Sequence, residues 1–443
     1  MRILIGTGLN AGPAEYQNIG DIAMLQVAVT RLAELWPDAE ILVLTDSPVS
    51  LARFCPAAKP LSRNGAETWI GDRILLGGFH RKLPASFSPY LSSLKHRLAQ
   101  ESPALLEGLL RTRFRLRDSC GRLPKLQSFL NALRACDLLV ICGSGGFADS
   151  CRDWNLFTLG LIEASLVRGA RIALVGQGIG PLIDKRSLSR MQRVLPAIDV
   201  LSSRGTRGAT DITRQIGIPD EVVVTTGDEA VEPAYESRST IPGNSVGVNL
   251  RIAPYSGVSE AQADAIGAAL RDFVRRRNTT LVPLPIAFHS YADDRASISR
   301  LIGHSGIPDG LTDLDSPESL YAQTAQCRVV VTGAYHAAVF ALSQGIPTIC
   351  LSASDYYSAK FDGLRVLFGD GCAVINLEAK DMIYAVSSSI EEYWTTAERL
   401  RPALLQAACL QIAASQDAYR RIRDLFQPVA REAAPADAAL SIP

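Results

Sequence analysis

The stretch LLVICGSGGFADSCRDWNLFTLGLIEASLVRGARIALVGQGIG, residues 138–180, decides the fold. Leu138–Cys142 is a continuous apolar run that stops at Gly143, Gly145 and Gly146. Ile172–Val175 repeats the run and stops at Gly176, Gly178 and Gly180. Between them, Leu156–Arg168 carries its apolar residues at helical spacing. A strand that is apolar at every position is buried on both faces, as a parallel strand covered by helices is. The stretch therefore reads as strand, glycine turn, helix, strand, glycine turn.

The same unit recurs on both sides. Arg2–Ile5 and Ile41–Leu44 precede it, Val200–Ser203 and Val222–Thr225 follow it, and Asp21–Leu35 is a further helical segment. Six such runs predict a doubly wound α/β sheet. After Asp228 the texture loosens into EAVEPAYESRSTIPGNS, which has no period and reads as a linker over 233–244. Alternation restarts with strands at Ser245–Leu250, Leu281–Pro285, Val329–Thr332, Thr348–Leu351 and Ala373–Leu377. Helices are expected at Glu260–Arg277, Ser316–Gln326 and Tyr335–Gln344. The expected organisation is a Rossmann-like domain over 1–232, a second over 245–386, a helical segment over 387–430 and a frayed tail over 431–443. Two such domains face each other across a cleft lined by the carboxyl ends of their strands.

Composition sets the outer limits. A length of 443 residues suits two or three domains, and 47% hydrophobic with 20% charged residues is globular. Lys plus Arg number 45 and Asp plus Glu 45, which excludes a generally basic nucleic-acid binder. That balance conceals residues 81–134, where eleven Lys or Arg stand against three acids and ESPALLEGLLRTRFRLRD reads as a basic amphipathic helix. This insertion either touches an anionic membrane face peripherally or is a solvated surface helix. Nine cysteines without C-x-x-C spacing point to buried thiols in a reducing cytoplasm, with no metal site or disulfide framework. Neither a signal peptide nor an apolar run of membrane-spanning length is read, so a cytoplasmic location is expected, with the inner membrane face as the place of any peripheral contact.

Several residues carry candidate chemistry. Glycine loops follow three strands, at Gly143–Gly146, Gly176–Gly180 and Thr226–Asp228. Glycine there either serves a tight strand–helix turn or brings N–H groups against a ligand. The spacing matches neither a dinucleotide fingerprint nor a P-loop. Asp21, in Asn18-Ile19-Gly20-Asp21, is either a capping acid or a substrate-facing carboxylate. His336, in Thr332-Gly333-Ala334-Tyr335-His336, stands at a strand's carboxyl end and a helix start. Arg251 leaves strand Val246–Leu250 toward the same cleft, and a buried arginine there needs an anion from protein or ligand. His289 with Asp293 and Asp294 reads as a solvated loop rather than a metal site.

Taken in order, NIGDIAMLQ (18–26), ICGSGGFAD (141–149), VGQGIGPL (175–182), SSRGTRGATDI (202–212), TTGDEA (225–230), VGVNLR (246–251) and TGAYHAAVFALSQGIPTICLS (332–352), with Lys360, resemble the polysaccharide pyruvyl transferase family. The resemblance implies a GT-B-like fold and transfer of the enolpyruvyl group of phosphoenolpyruvate to two sugar hydroxyls as a cyclic ketal. Phosphoenolpyruvate would be a co-substrate, with no further cofactor. The acceptor would be a glycan or lipid-linked sugar. His336 would be the general acid, protonating the enol carbon or the leaving phosphate, and Asp21 would take a hydroxyl proton. Arg251, Lys360, Gly333 and Tyr335 would hold the donor. Asn18, Gly20, Gly145, Gly146, Gln177 and Gly178 would form the acceptor side and its loops. Family members carry arginine two residues before the histidine, where this chain has Ala334; Lys360 or Arg365 would have to compensate. That departure keeps open a nucleotide-sugar glycosyltransferase in the same cleft, and a glycan-binding relative without catalysis.

Overall fold

The computed structural model describes residues 1–9, 16–71, 94–95, 97–99, 101–117, 121–180, 182, 184–205, 207–252, 256–290, 292–303, 306 and 310–427. Short apolar runs form the first sheet, from strands β1 (Arg2–Gly6), β2 (Glu40–Leu44), β3 (Lys59–Leu61), β4 (Leu138–Ile141), β5 (Arg171–Gln177), β6 (Val200–Ser203) and β7 (Val223–Thr225). All seven are parallel, in the order β3-β2-β1-β4-β5-β6-β7. Alternate residues explain the unbroken hydrophobicity. Ile3, Ile5, Leu138, Val140, Ala173 and Val175 enter one core, while Leu4, Leu139, Ile141 and Leu174 enter another on the opposite face. Burying each of these leucine, isoleucine and valine side chains contributes about 1.5–3 kcal/mol.

The second sheet comprises β8 (Ser245–Asn249), β9 (Leu281–Pro283), β12 (Cys327–Thr332), β13 (Thr348–Ser352) and β14 (Cys372–Asn376), in the order β14-β13-β12-β8-β9. A small antiparallel pair, β10 (Phe288–His289) and β11 (Ala292–Asp293), lies between β9 and β12 in sequence. Chain direction across the sheet reverses at β1/β4 in the first sheet and at β8/β12 in the second. Loops at such switch points form the ligand crevice of open α/β sheets.

Three readings are refined. The supposed linker opens with a helix, Val231–Glu236, that buries Val231 and Ala234; Pro233 sits in its first turn, where no N–H is required. The C-terminal helix starts at Met382 rather than 387 and runs unbroken to Asp424, with Pro402 inside it. It packs first on the second sheet and then returns to the first domain, where Ser415 and Tyr419 donate hydrogen bonds to the buried carboxylate of Glu229. Within the basic insertion, helix Pro103–Arg117 buries Leu106, Leu110 and Phe114 against Phe129 and Leu130 of helix Arg122–Arg134. That apolar stripe belongs to the core. The expected tail lies outside the described residues. Among the described residues no helix is long and apolar enough to cross a membrane.

Direct contacts join the domains beside the cleft. Ile19 N donates to Ile286 O at 2.9 Å, Phe288 N donates to Gln17 O at 2.9 Å, and Arg53 forks onto Asp315 at 2.8 Å.

Candidate active site

Between the two switch points lies a cavity of about 440 Å³, reached by Asn18, Asp21, Gly145, Arg204, Arg251, Tyr335, His336, Tyr356 and Lys360. Three of the helices that begin on its wall carry residues singled out from the sequence. In the first, Ile19–Leu35, the Asn18 side chain accepts from Gly20 N at 3.1 Å and Asp21 N at 3.4 Å, so Asn18 is a helix cap. The second, Tyr335–Ser343, has Ala334 at its cap position. The third, Asp355–Phe368, follows Ser354, whose buried hydroxyl caps nothing and has no hydrogen-bond partner among the described residues. Two helix starts thus bring N–H groups and positive dipole ends to one cavity without a side-chain cap.

His336 is buried in the first turn of its helix. Gly20, across the cleft, lies against the imidazole, and a Cβ there would come within 1.9 Å of Nδ1. On the other side, His336 Nε2 is 3.6 Å from Asp228 Oδ2, an ion-pair distance rather than a hydrogen bond. Asp228 is fully buried, accepts from Ala230 N at 2.9 Å, and lies 3.0 Å from Arg204 Nε. Burial pushes its carboxyl up, but Arg204 and then His336 bring it down to about 2. Arg204 also donates to Gly176 O at 2.7 Å and stacks over Tyr335, 5.3 Å from the ring centre.

Lys360 opens onto the cavity among three aromatic rings, 4.1 Å from the centre of Tyr356, 5.7 Å from Tyr335 and 5.9 Å from Tyr357. Burial pushes its ammonium down to about 8. Its tip leaves no room at Gly145, where a Cβ would come within 2.5 Å of Nζ. The Asp21 carboxyl is raised by burial, against the pull of His336, Arg204 and Lys360. The cavity therefore gathers Arg204, Lys360, helix ends, an imidazole and a carboxyl, with Arg251 also on its wall.

Other predicted residues are placed differently. Arg251 lines the cavity, but its Nε and Nη2 fork onto Asp294 at 2.7 and 2.9 Å, so its anion comes from the protein. Asp294 also accepts from Asn249 Nδ2 at 2.9 Å, Ile286 N at 2.9 Å and Ala287 N at 3.0 Å. The expected solvated loop of His289 and Asp294 is thus corrected, because both side chains are buried and Asp294 is the counter-ion of Arg251. Arg365 does not compensate for Ala334; it is exposed and paired with Asp362. Gly333 packs against Leu250, and Gly146 against the Trp154 ring. Gln177 ties the ends of β4 and β5 together by donating from Nε2 to Ile141 O and Val175 O at 2.9 Å and to Cys142 O at 3.2 Å. Gly178 N donates to Ser144 O at 2.7 Å. The residue reading missed Arg204, Asp228 and Tyr356. Arg204 and Asp228 carried a visible mark, a charged residue at a strand end beside glycine, in SSRG and TTGD.

Comparison with known proteins gives two results of different kinds. Solved structures share the architecture at low identity. A putative UDP-N-acetylglucosamine 2-epimerase from Listeria monocytogenes aligns with a TM-score of 0.56 at 10% identity, over 96% of this chain and 96% of that one. S. aureus MnaA, solved with UDP, aligns with a TM-score of 0.52 at 14% identity, over 96% of each chain. These likenesses establish a GT-B-like fold and nothing of the chemistry. No curated protein sequence matches the chain. The family model for polysaccharide pyruvyl transferase matches residues 18–355, from the Asn18 cap through the His336 helix to Asp355, and the chain belongs to that family.

Proposed function

We propose that this protein transfers the pyruvyl group of phosphoenolpyruvate to two hydroxyls of a sugar in a glycan or lipid-linked precursor, forming a cyclic ketal. The observation that carries this reading is convergence: two uncapped helix starts, Arg204 and Lys360 surround the cavity that also holds His336 and Asp21. Phosphoenolpyruvate carries a phosphate and a carboxylate, and helix ends with cations in a partly dry cleft are what such a ligand needs. Ala334 is then less of a defect, because Arg204 supplies a guanidinium and the Ala334 cap position leaves the helix N–H groups to the ligand.

The proposed steps use these side chains where they stand. His336 gives a proton to C3 of the enol, making C2 electrophilic, and Asp228 holds the imidazolium from behind. The first sugar hydroxyl adds to C2 and passes its proton to Asp21. The C2–O bond to phosphate breaks, and Lys360 and Arg204 stabilise the departing anion. The second hydroxyl then adds to C2, and its proton leaves with inorganic phosphate. The proton taken by Asp21 balances the one His336 gave.

The test is incubation with phosphoenolpyruvate and a panel of glycans, following phosphate release and the ketal methyl signal in NMR spectra. Phosphate and a new methyl singlet are expected. Their absence, with tight binding of a nucleoside diphosphate instead, would make the protein a nucleotide-sugar glycosyltransferase. Glycan binding without either would make it a non-catalytic member of the family.

A further inference from the structure

Beside the first cavity lies a second, of about 200 Å³, at the carboxyl ends of β5 and β6 and under helix Asp355–Phe368. The two share a wall made by Gly145, Arg204, Tyr335 and Lys360. Away from that wall the smaller cavity is lined by Ile179, Ile212 and Ala359, by Gln177 and Ser203, and by glycine backbone. We infer that it holds one pyranose ring of the acceptor, seated by its C–H face, with the reacting hydroxyls turned across the shared wall toward the donor. The inference deepens the pyruvyl-transfer reading and rests on it.

Three observations lead there. First, away from the shared wall the glycine loop offers phosphate no free N–H groups of its own at 178, 180 and 205. Gly178 N and Gly180 N already donate to Ser144 O and Phe147 O, each at 2.7 Å, and Gly205 N to Ser203 Oγ at 3.3 Å. A glycine-rich loop whose N–H groups are engaged is not an anion nest. Second, its aliphatic lining matches the carbon face of a sugar, which is apolar enough to lie on Ile212 and Ala359. Third, Gln177 is fully buried at the floor. Its amide nitrogen faces three carbonyls, which fixes the orientation of the amide, and its Oε1 has no hydrogen-bond partner among the described residues. A buried acceptor held in one orientation is costly, and a donor-bearing ligand relieves that cost. A hydroxyl is such a donor; a phosphate or carboxylate is not.

The test uses the full-length protein and two filling variants, Ala359→Phe and Ile212→Trp, on opposite sides of the pocket. Phosphoenolpyruvate affinity is measured by calorimetry. Binding of methyl pyranosides of glucose, galactose and mannose, and of uridine, is measured by saturation-transfer NMR with phosphoenolpyruvate present. The expected result is that at least one pyranoside binds the wild type and is weakened tenfold or more in both variants. The dissociation constant for phosphoenolpyruvate should stay within twofold. Should one variant fail to fold, judged by its melting curve, the other gives the same reading. Unchanged pyranoside binding, absence of any pyranoside binding to a wild type that binds phosphoenolpyruvate, or uridine as the weakened ligand would overturn the assignment. So would a parallel tenfold loss of phosphoenolpyruvate affinity, which would make the pocket the donor's. A wild type that binds no phosphoenolpyruvate at all would overturn the pyruvyl-transfer reading itself.

Discussion

Gly20 at the start of the first domain's leading helix lies against the imidazole of His336 in the second, with no room for a single methyl group between them. His336 is therefore held by the opposite domain as well as by its own helix. Gly20→Ala is expected to displace the ring and lower kcat about 10²–10⁴-fold, the range for loss of general acid catalysis. His336→Ala should lower kcat to a similar level. A melting temperature close to wild type with this loss would place the effect in the site. Unchanged kcat in Gly20→Ala would show that the ring has another productive position.

Asp228 is the shared counter-charge of Arg204 and His336. Asp228→Asn leaves a buried guanidinium without its anion and should cost about 3–5 kcal/mol in urea unfolding. Arg204→Met on top of it should recover part of that loss. The pH dependence has a definite sign. The folded carboxyl titrates at about 2, below its ordinary value of 3.8, so its stabilising contribution is present above about pH 4 and fades as pH falls toward 2. The acid limb of the unfolding curve should be shallower in Asp228→Asn.

Lys360 behaves in the opposite sense. Burial lowers its pKa from 10.5 to about 8, so the folded protein gives up that proton before the unfolded chain does. Between pH 8 and 10.5 the unfolded state binds more protons, and this group makes stability rise with pH. Lys360→Met should remove that rise and be more stable than wild type at pH 7. It should also raise KM for phosphoenolpyruvate tenfold or more. In the wild type, that KM should climb above pH 8 as the ammonium is lost.

The Arg251–Asp294 fork separates donor binding from scaffolding. If Arg251 serves chiefly to hold Asp294 and, through it, the backbone at 286–287, Arg251→Met should cost about 3–5 kcal/mol, and adding Asp294→Leu should restore much of it. Unfolding curves of the single and double variants decide this. A hundredfold rise in donor KM at unchanged stability would instead make Arg251 a direct donor contact.

The strands that decide the architecture were legible because a parallel strand buried on two faces must be apolar throughout, as Leu138–Ile141 is. Strand β3, Lys59-Pro60-Leu61, was not, since an edge strand of three residues with a proline carries no such pattern. The β10/β11 pair is two residues per strand, too short for any period. At the site, His336 and Asp21 stood out because they adjoin helix starts. Arg204 and Asp228 were missed as a pair because 24 residues separate them, and only the pairing of β6 with β7 brings them together. The same holds for Arg251 and Asp294, 43 residues apart.

The return of the last helix to the first domain bears on how late the site is completed. Gln411 occupies the space a side chain at Gly227 would need, and Ser415 and Tyr419 grip Glu229, the neighbour of Asp228. A chain growing from its N-terminus makes the first sheet early, yet Glu229, beside Asp228, waits another 190 residues for Tyr419. The earlier domain is thus completed by a late part of the chain, and an interrupted product lacking residues beyond 410 would carry every candidate site residue without the last turns that clasp the loop of Asp228.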